Sequence, residues 1–125
     1  MRSARGGAFA LAAVLAASAF AFAACGPKPV RTGEVVITIK GERGERSYSP
    51  ASVRVALGTV VTWINGDSQP HTATAIGAFD SGPIPPNGGR WSWVAAIPGT
   101  FSYHSLIQPD MTGTLIVEVQ PPANP

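Results

Sequence analysis

The sequence predicts an all-β sandwich of about seven short strands, preceded by a cleavable leader. Three observations carry that prediction. Charged residues make up only 13% of the 125, 14 glycines and 12 prolines punctuate the chain, and one leader-like apolar block precedes everything else. From Glu34 onward the apolar residues are mainly Val, Ile and aromatic types, set in short alternating runs between turn residues. Strands favour those side chains on a pleated, half-buried surface, and Gly, Pro, Asn and Asp favour the turns between them.

The leader comes first. Arg2 and Arg5 supply a positive start and Ala8 to Ala23 an apolar stretch, which together predict a signal peptide over residues 1–24 and not a structural helix. That stretch ends in Phe22-Ala23-Ala24-Cys25, small residues before a cysteine as at the lipobox of bacterial lipoproteins, although Phe22 departs from the usual Leu. Cys25 is the single cysteine, so no disulfide can form within the chain. The expectation is acylation at Cys25, a tether over 25–33, and a domain anchored to a membrane at the cell envelope, periplasm or cell surface. Ordinary cleavage that leaves Cys25 a free thiol is the alternative.

The formal charge is +2, and Arg2 and Arg5 would leave with the leader. The remaining domain is nearly neutral, with no basic run interleaved with aromatics. Nucleic-acid binding therefore has no electrostatic footprint.

The strands follow in order. Val35, Ile37 and Ile39 alternate inward on a first strand, and Gly41 to Arg46 is a polar loop. Val53, Val55 and Leu57 share a face, Gly58 turns the chain, and Val60 to Asn65 forms the next strand, so that 53–57 and 60–65 are expected to be adjacent. Gly66 to Pro70 is a loop, His71 to Thr74 opens an extended piece, and Gly77 to Gly89 is mostly turn. Arg90 to Ala95 alternates again, Pro98-Gly99 turns, and Thr100 to His104 is a strand. The last strand, Gly113 to Val119, puts Leu115, Val117 and Val119 on one side. The domain is expected over 34–120, with a Pro-rich tail over 121–125.

Several spaced motifs in that order carry a resemblance. They are Pro50-x-x-Val53-x-Val55-x-x-Gly58-x-x-Val61-x-Trp63-x-Asn65, then Asp67 and His71-Thr72, then Phe79-Asp80-Ser81-Gly82, and Pro98-Gly99-Thr100-Phe101-Ser102-Tyr103. Over roughly Glu34 to Val119 the chain resembles the plastocyanin- and amicyanin-like cupredoxins. The resemblance implies a Greek-key sandwich with copper at one end, held by an early histidine and by cysteine, histidine and usually methionine on a late loop. A soft thiolate, two imidazoles and a weak thioether suit both copper oxidation states and electron transfer.

His71 matches the early histidine and Met111 the loop methionine. Across the short loop Tyr103-His104-Ser105-Leu106-Ile107-Gln108-Pro109-Asp110-Met111, Ser105 stands at the cysteine position and Gln108 at the second histidine position. A hydroxyl lacks the softness and acidity of a thiol, and a neutral amide is a weak ligand for Cu(II). No blue centre is expected. His104 directly precedes the cysteine position, and neighbouring strand residues point to opposite faces, so it is expected to point away from His71 unless a bulge turns it inward. Weak Cu(I) binding by His71 and Met111, with or without His104, is one reading. A metal-free binding module, in which His71 is an ordinary loop histidine and Met111 a core residue, is another.

The alternative from the family alone is a copper-binding electron-transfer protein. Trp91 and Trp93 share a face and would mark a surface for an envelope protein partner if exposed. Ser105 and His71 invite a hydrolase reading, but Asp67 and Asp80 look like turn residues and no orienting carboxylate is evident, so the expectation is not an enzyme.

Overall fold

The computed structural model describes residues 31–120. The signal peptide, the lipobox with Cys25, most of the tether and the tail lie outside the described residues.

Nine strands form two sheets, with no helix among the described residues. They are β1 (Glu34–Ile39), β2 (Tyr48–Ser49), β3 (Ser52–Ala56), β4 (Val60–Asn65), β5 (Thr74–Ala75), β6 (Phe79–Asp80), β7 (Gly89–Val94), β8 (Gly99–His104) and β9 (Thr112–Glu118). One sheet has the order β2-β1-β4-β7 and the other β3-β9-β8-β5-β6. Two of the two-residue strands, β2 and β6, account for the difference from the seven expected.

Alternation decides which face each long strand buries. Val35, Ile37 and Ile39 of β1, Val53 and Val55 of β3, and Leu115 and Val117 of β9 all face the shared interior. Full burial of each such side chain contributes roughly 1.5–3 kcal/mol. Val119 lies beyond the end of β9 and is exposed, so the inward set of the last strand stops at Val117.

Two expectations change. Residues 53–57 and 60–65 do not pair: β3 runs parallel to β9, and β4 runs parallel to β1 and antiparallel to β7. The turn at Gly58 therefore carries the chain from one sheet to the other, with the Gly58 N–H on the Ala95 carbonyl. Both sheets are mixed, with parallel and antiparallel pairs. The sandwich also begins before Glu34, because Arg31 already bridges Val55, donating its N–H to the Arg54 carbonyl and accepting from the Ala56 N–H.

The middle of the core is aromatic. Trp63 is fully buried, 5.4 Å from Phe79, 5.5 Å from Trp91 and 5.5 Å from Tyr103 between ring centroids. Trp93 lies 4.7 Å from Phe79. Trp91 and Trp93 are thus partly buried packing residues over the core, which removes the paired exposed surface considered for them. Gly113 is required where Tyr103 crosses it: a Cβ there would stand 2.4 Å from the ring. That contact seats Tyr103 at the foot of the loop that follows β8.

Candidate metal centre

Two loops meet at one end of the sandwich. Loop 66–73 leaves β4 at Asn65 and delivers His71, and loop 105–111 leaves β8 and returns into β9.

Asn65 shapes the first loop. Fully buried, its side chain donates to the carbonyls of Gln69 at 2.8 Å and Ile84 at 3.1 Å, and its Oδ1 accepts the Asp67 N–H at 2.9 Å. His71 is then fixed by an antiparallel bridge to Ile84. Behind it, Ser81 and Asp80 hold the β5–β6 turn: Ser81 Oγ accepts the Ala73 N–H, and Asp80 Oδ1 accepts from Thr74 Oγ1 and from the Gly82 N–H. The Phe-Asp-Ser-Gly segment thus supports the histidine from the rear.

The His71 ring is 1% exposed. Its Nε2 lies 2.7 Å from Asp67 Oδ2, and its Nδ1 is buried with no hydrogen-bond partner. The bond from His71 is the main reason the Asp67 carboxyl is held below its ordinary range, with the Ser68 backbone N–H next. A carboxylate ionised at neutral pH can only accept, so Nε2 carries a proton, and in the neutral ring Nδ1 keeps its lone pair. Asp67 is therefore the orienting carboxylate, and the description of it as a turn residue alone is corrected.

Thr72 joins the two loops. Its carbonyl accepts the Tyr48 hydroxyl at 2.6 Å, its N–H points to Ser105 Oγ at 3.3 Å, and its Oγ1 accepts the Leu106 N–H at 2.8 Å. Burial, with Tyr103 beside it, pushes the Tyr48 hydroxyl far above its usual pKa, so it stays a donor.

Ser105 is fully buried, and its Oγ accepts three backbone N–H groups: Thr72 at 3.3 Å, and Ile107 and Gln108 at 3.2 Å each. Three donors converging on one atom form a pocket suited to an anion. A hydroxyl oxygen with two lone pairs is already more than satisfied there. It has no lone pair left to bind a cation.

The remaining positions are simply placed. Met111 is fully buried, and its N–H closes the loop on the Gln108 carbonyl. Gln108 is half-buried and directs its amide to the Gly41 carbonyl at 3.5 Å. His104 ends β8 opposite Thr112, half-buried and alternating with Tyr103 and Ser105, so it belongs to the other face of the strand. Among the described residues, no group of three or more His, Cys, Asp or Glu is arranged to hold a metal.

Sequence reasoning missed the site roles of Asp67, Thr72 and Gly41. Asp67 and His71 are four apart in a loop, where spacing fixes no common face. Thr72 was visible only as the neighbour of His71.

A sandwich with a histidine loop and a short Ser-x-x-Gln-Pro-x-Met loop at one end defines a cupredoxin-type domain. No family model matches the chain. It is 31% identical over 94 residues to amicyanin of Paracoccus denitrificans, covering 71% of this chain and 69% of that protein. Among solved structures it is similar to the purple cupredoxin of Nitrosopumilus maritimus, with a TM-score of 0.58, 27% identity, and coverage of 69% of this chain and 99% of that one. An oxidised amicyanin variant superposes with a TM-score of 0.60 at 25% identity, covering 69% of this chain and 83% of the other. The fold is also shared with a copper-containing nitrite reductase of Thermus scotoductus, TM-score 0.61 at 22% identity, over 78% of this chain and 25% of that one. The chain belongs to the cupredoxin family.

Proposed function

We propose that this chain is a cupredoxin-like lipoprotein of the cell envelope that handles copper weakly, as Cu(I), and has no blue centre. The single observation that carries this is the contrast at the site: His71 Nδ1 is buried and unpartnered, while Ser105 Oγ is saturated by three backbone N–H groups. A buried nitrogen without a partner costs roughly 1–3 kcal/mol, which a bound cation would recover. Met111 supplies a soft thioether, and imidazole with thioether suits Cu(I). Neither Ser105 nor Gln108 supplies the thiolate and imidazole that Cu(II) needs.

Export and anchoring rest on the leader over residues 1–24 and on Cys25 after Phe22-Ala23-Ala24. Incorporation of labelled palmitate is expected in the wild-type chain and not in Cys25→Ser. Binding is favoured over hydrolysis, because Ser105 is fully buried, its oxygen is held by N–H donors and His71 Nδ1 makes no hydrogen bond to it.

The second reading, an electron-transfer copper protein, is favoured by the similarity to amicyanin, which has been solved holding Cu(I). A visible spectrum of the protein loaded with Cu(II) separates the two. The proposal expects no intense thiolate-to-copper band, and such a band would establish the second reading instead.

A further inference from the structure

A second set of contacts holds the outer side of the imidazole, and part of it comes from outside the two ligand loops. The carboxylate of Asp67 is only partly exposed and meets His71 Nε2 at 2.7 Å. Above it passes the β1–β2 connection at Gly41. A Cβ at Gly41 would lie 2.2 Å from Asp67 Oδ2 and 2.4 Å from its carboxyl carbon, and Gly41 adopts φ +76°, a conformation that side-chain-bearing residues rarely take. The same residue offers its carbonyl to the Gln108 amide. The connection is fixed to the late loop as well: the Gly44 N–H donates to the Asp110 carbonyl, and Arg43 pairs with Asp110 at 3.2 Å. Gly41 is thus the one residue type that allows the chain to pass over the carboxylate without pushing it off the ring.

We infer that Asp67 is the positioning residue of this centre: it accepts the hydrogen bond from the Nε2–H of His71 and so holds the Nδ1 lone pair toward the interior, and Gly41 leaves the clearance that allows this contact. The reason is physical. An imidazole without an outer partner can rotate or exchange tautomers, and either change removes the inward lone pair. A carboxylate on the remote nitrogen fixes both, and raises the basicity of the inward nitrogen. The consequence for metal affinity rests on the Cu(I) reading above; the proton position does not.

The test uses the full chain with 15N-labelled histidine, in metal-free form. Only two histidines contribute signals, and His104→Gln identifies those of His71. The expected spectrum has an imine-type Nδ1 and a pyrrole-type Nε2 whose proton is shifted downfield and exchanges slowly with water. In Asp67→Ala that proton exchanges fast and loses its downfield shift while the backbone spectrum stays folded. Gly41→Ala, which displaces the carboxylate without removing it, changes the signal in the same direction. Ag(I), a redox-inert substitute for Cu(I), is then titrated against a competing chelator. Loss of the carboxylate is expected to weaken it about 10–100-fold.

A proton on Nδ1 in the wild type, or an unchanged Nε2 proton in both variants, overturns the inference. So does wild-type Ag(I) binding that is equal in Asp67→Ala. If the Nε2 proton behaves as expected and the wild type takes up no Ag(I), the positioning role stands and the Cu(I) reading falls.

Discussion

The two loops at the end of the sandwich differ in what each supplies. Loop 66–73 keeps both a ligand and its support: His71, the Asp67 carboxylate on its outer nitrogen, and Asn65 holding the turn with three hydrogen bonds. Loop 105–111 keeps the support and, of the donors, only the Met111 thioether. Its backbone N–H groups still converge where an anionic ligand would sit, but the atom they meet is a serine hydroxyl. The comparison teaches that a metal frame and its donors are separable. The frame consists of converging backbone N–H groups and close packing that need an acceptor at position 105 but not a thiolate, so the donor can change to a hydroxyl without the loop losing its shape.

The largest expected effect tests that separation. Ser105→Cys combined with Gln108→His restores the missing donors, and on adding Cu(II) the double variant is expected to gain an intense visible band that the wild type lacks. A colourless double variant would mean that the loop has lost the frame as well as the donors.

Stability gives the next effect. Ser105→Ala removes the acceptor of three N–H groups, one buried and two part-buried, and each fully buried group left unsatisfied costs roughly 1–3 kcal/mol. A loss of about 3 kcal/mol is expected in urea unfolding, with an unchanged slope. Ser105→Cys keeps an acceptor in the same place and is expected to lose clearly less. Equal losses would show that the N–H groups do not depend on the side chain.

The smallest effect concerns acid stability. Asp67 is held below its ordinary pKa mainly by His71, and Asp80 mainly by the Gly82 N–H with Thr74 next. A carboxyl depressed in the folded state stabilises the fold above its unfolded value, near 3.9, and this contribution is lost as pH falls through the lower folded value. Melting temperature measured downward from pH 5 should therefore fall less steeply in Asp67→Asn than in the wild type. Parallel curves would show that Asp67 carries no folding linkage in that range.

Much of this was legible in the sequence because period-2 alternation states directly which residues face inward. β1 and β9 follow it residue by residue, as does β7 with Trp91 and Trp93, whereas in β4 Thr62 is buried between Val61 and Trp63. The turn at Gly58 was not legible. A glycine between two apolar runs marks a hairpin and a crossing between sheets equally well, and only the parallel pairing of β3 with β9 and of β4 with β1 decides between them. At the site, Ser105 and Gln108 were visible as departures at spaced positions, since a motif fixes where each donor should stand. Asp67 was not, because a loop has no fixed periodicity and its contact with His71 depends on how Asn65 folds the turn. Gly41 contributes through the room it leaves for a neighbour distant in sequence.

The central claim is that one buried imidazole nitrogen, backed by a carboxylate, is the functional remainder of this centre. Its most direct test is the thermal stability of the wild type and of His71→Gln during titration with Cu(I) under reducing, anaerobic conditions. A cation that binds only the folded state must raise the melting temperature. The wild type is expected to shift upward with a saturable dose dependence, and His71→Gln not to shift. No shift in the wild type, or an equal shift in both, would contradict the claim.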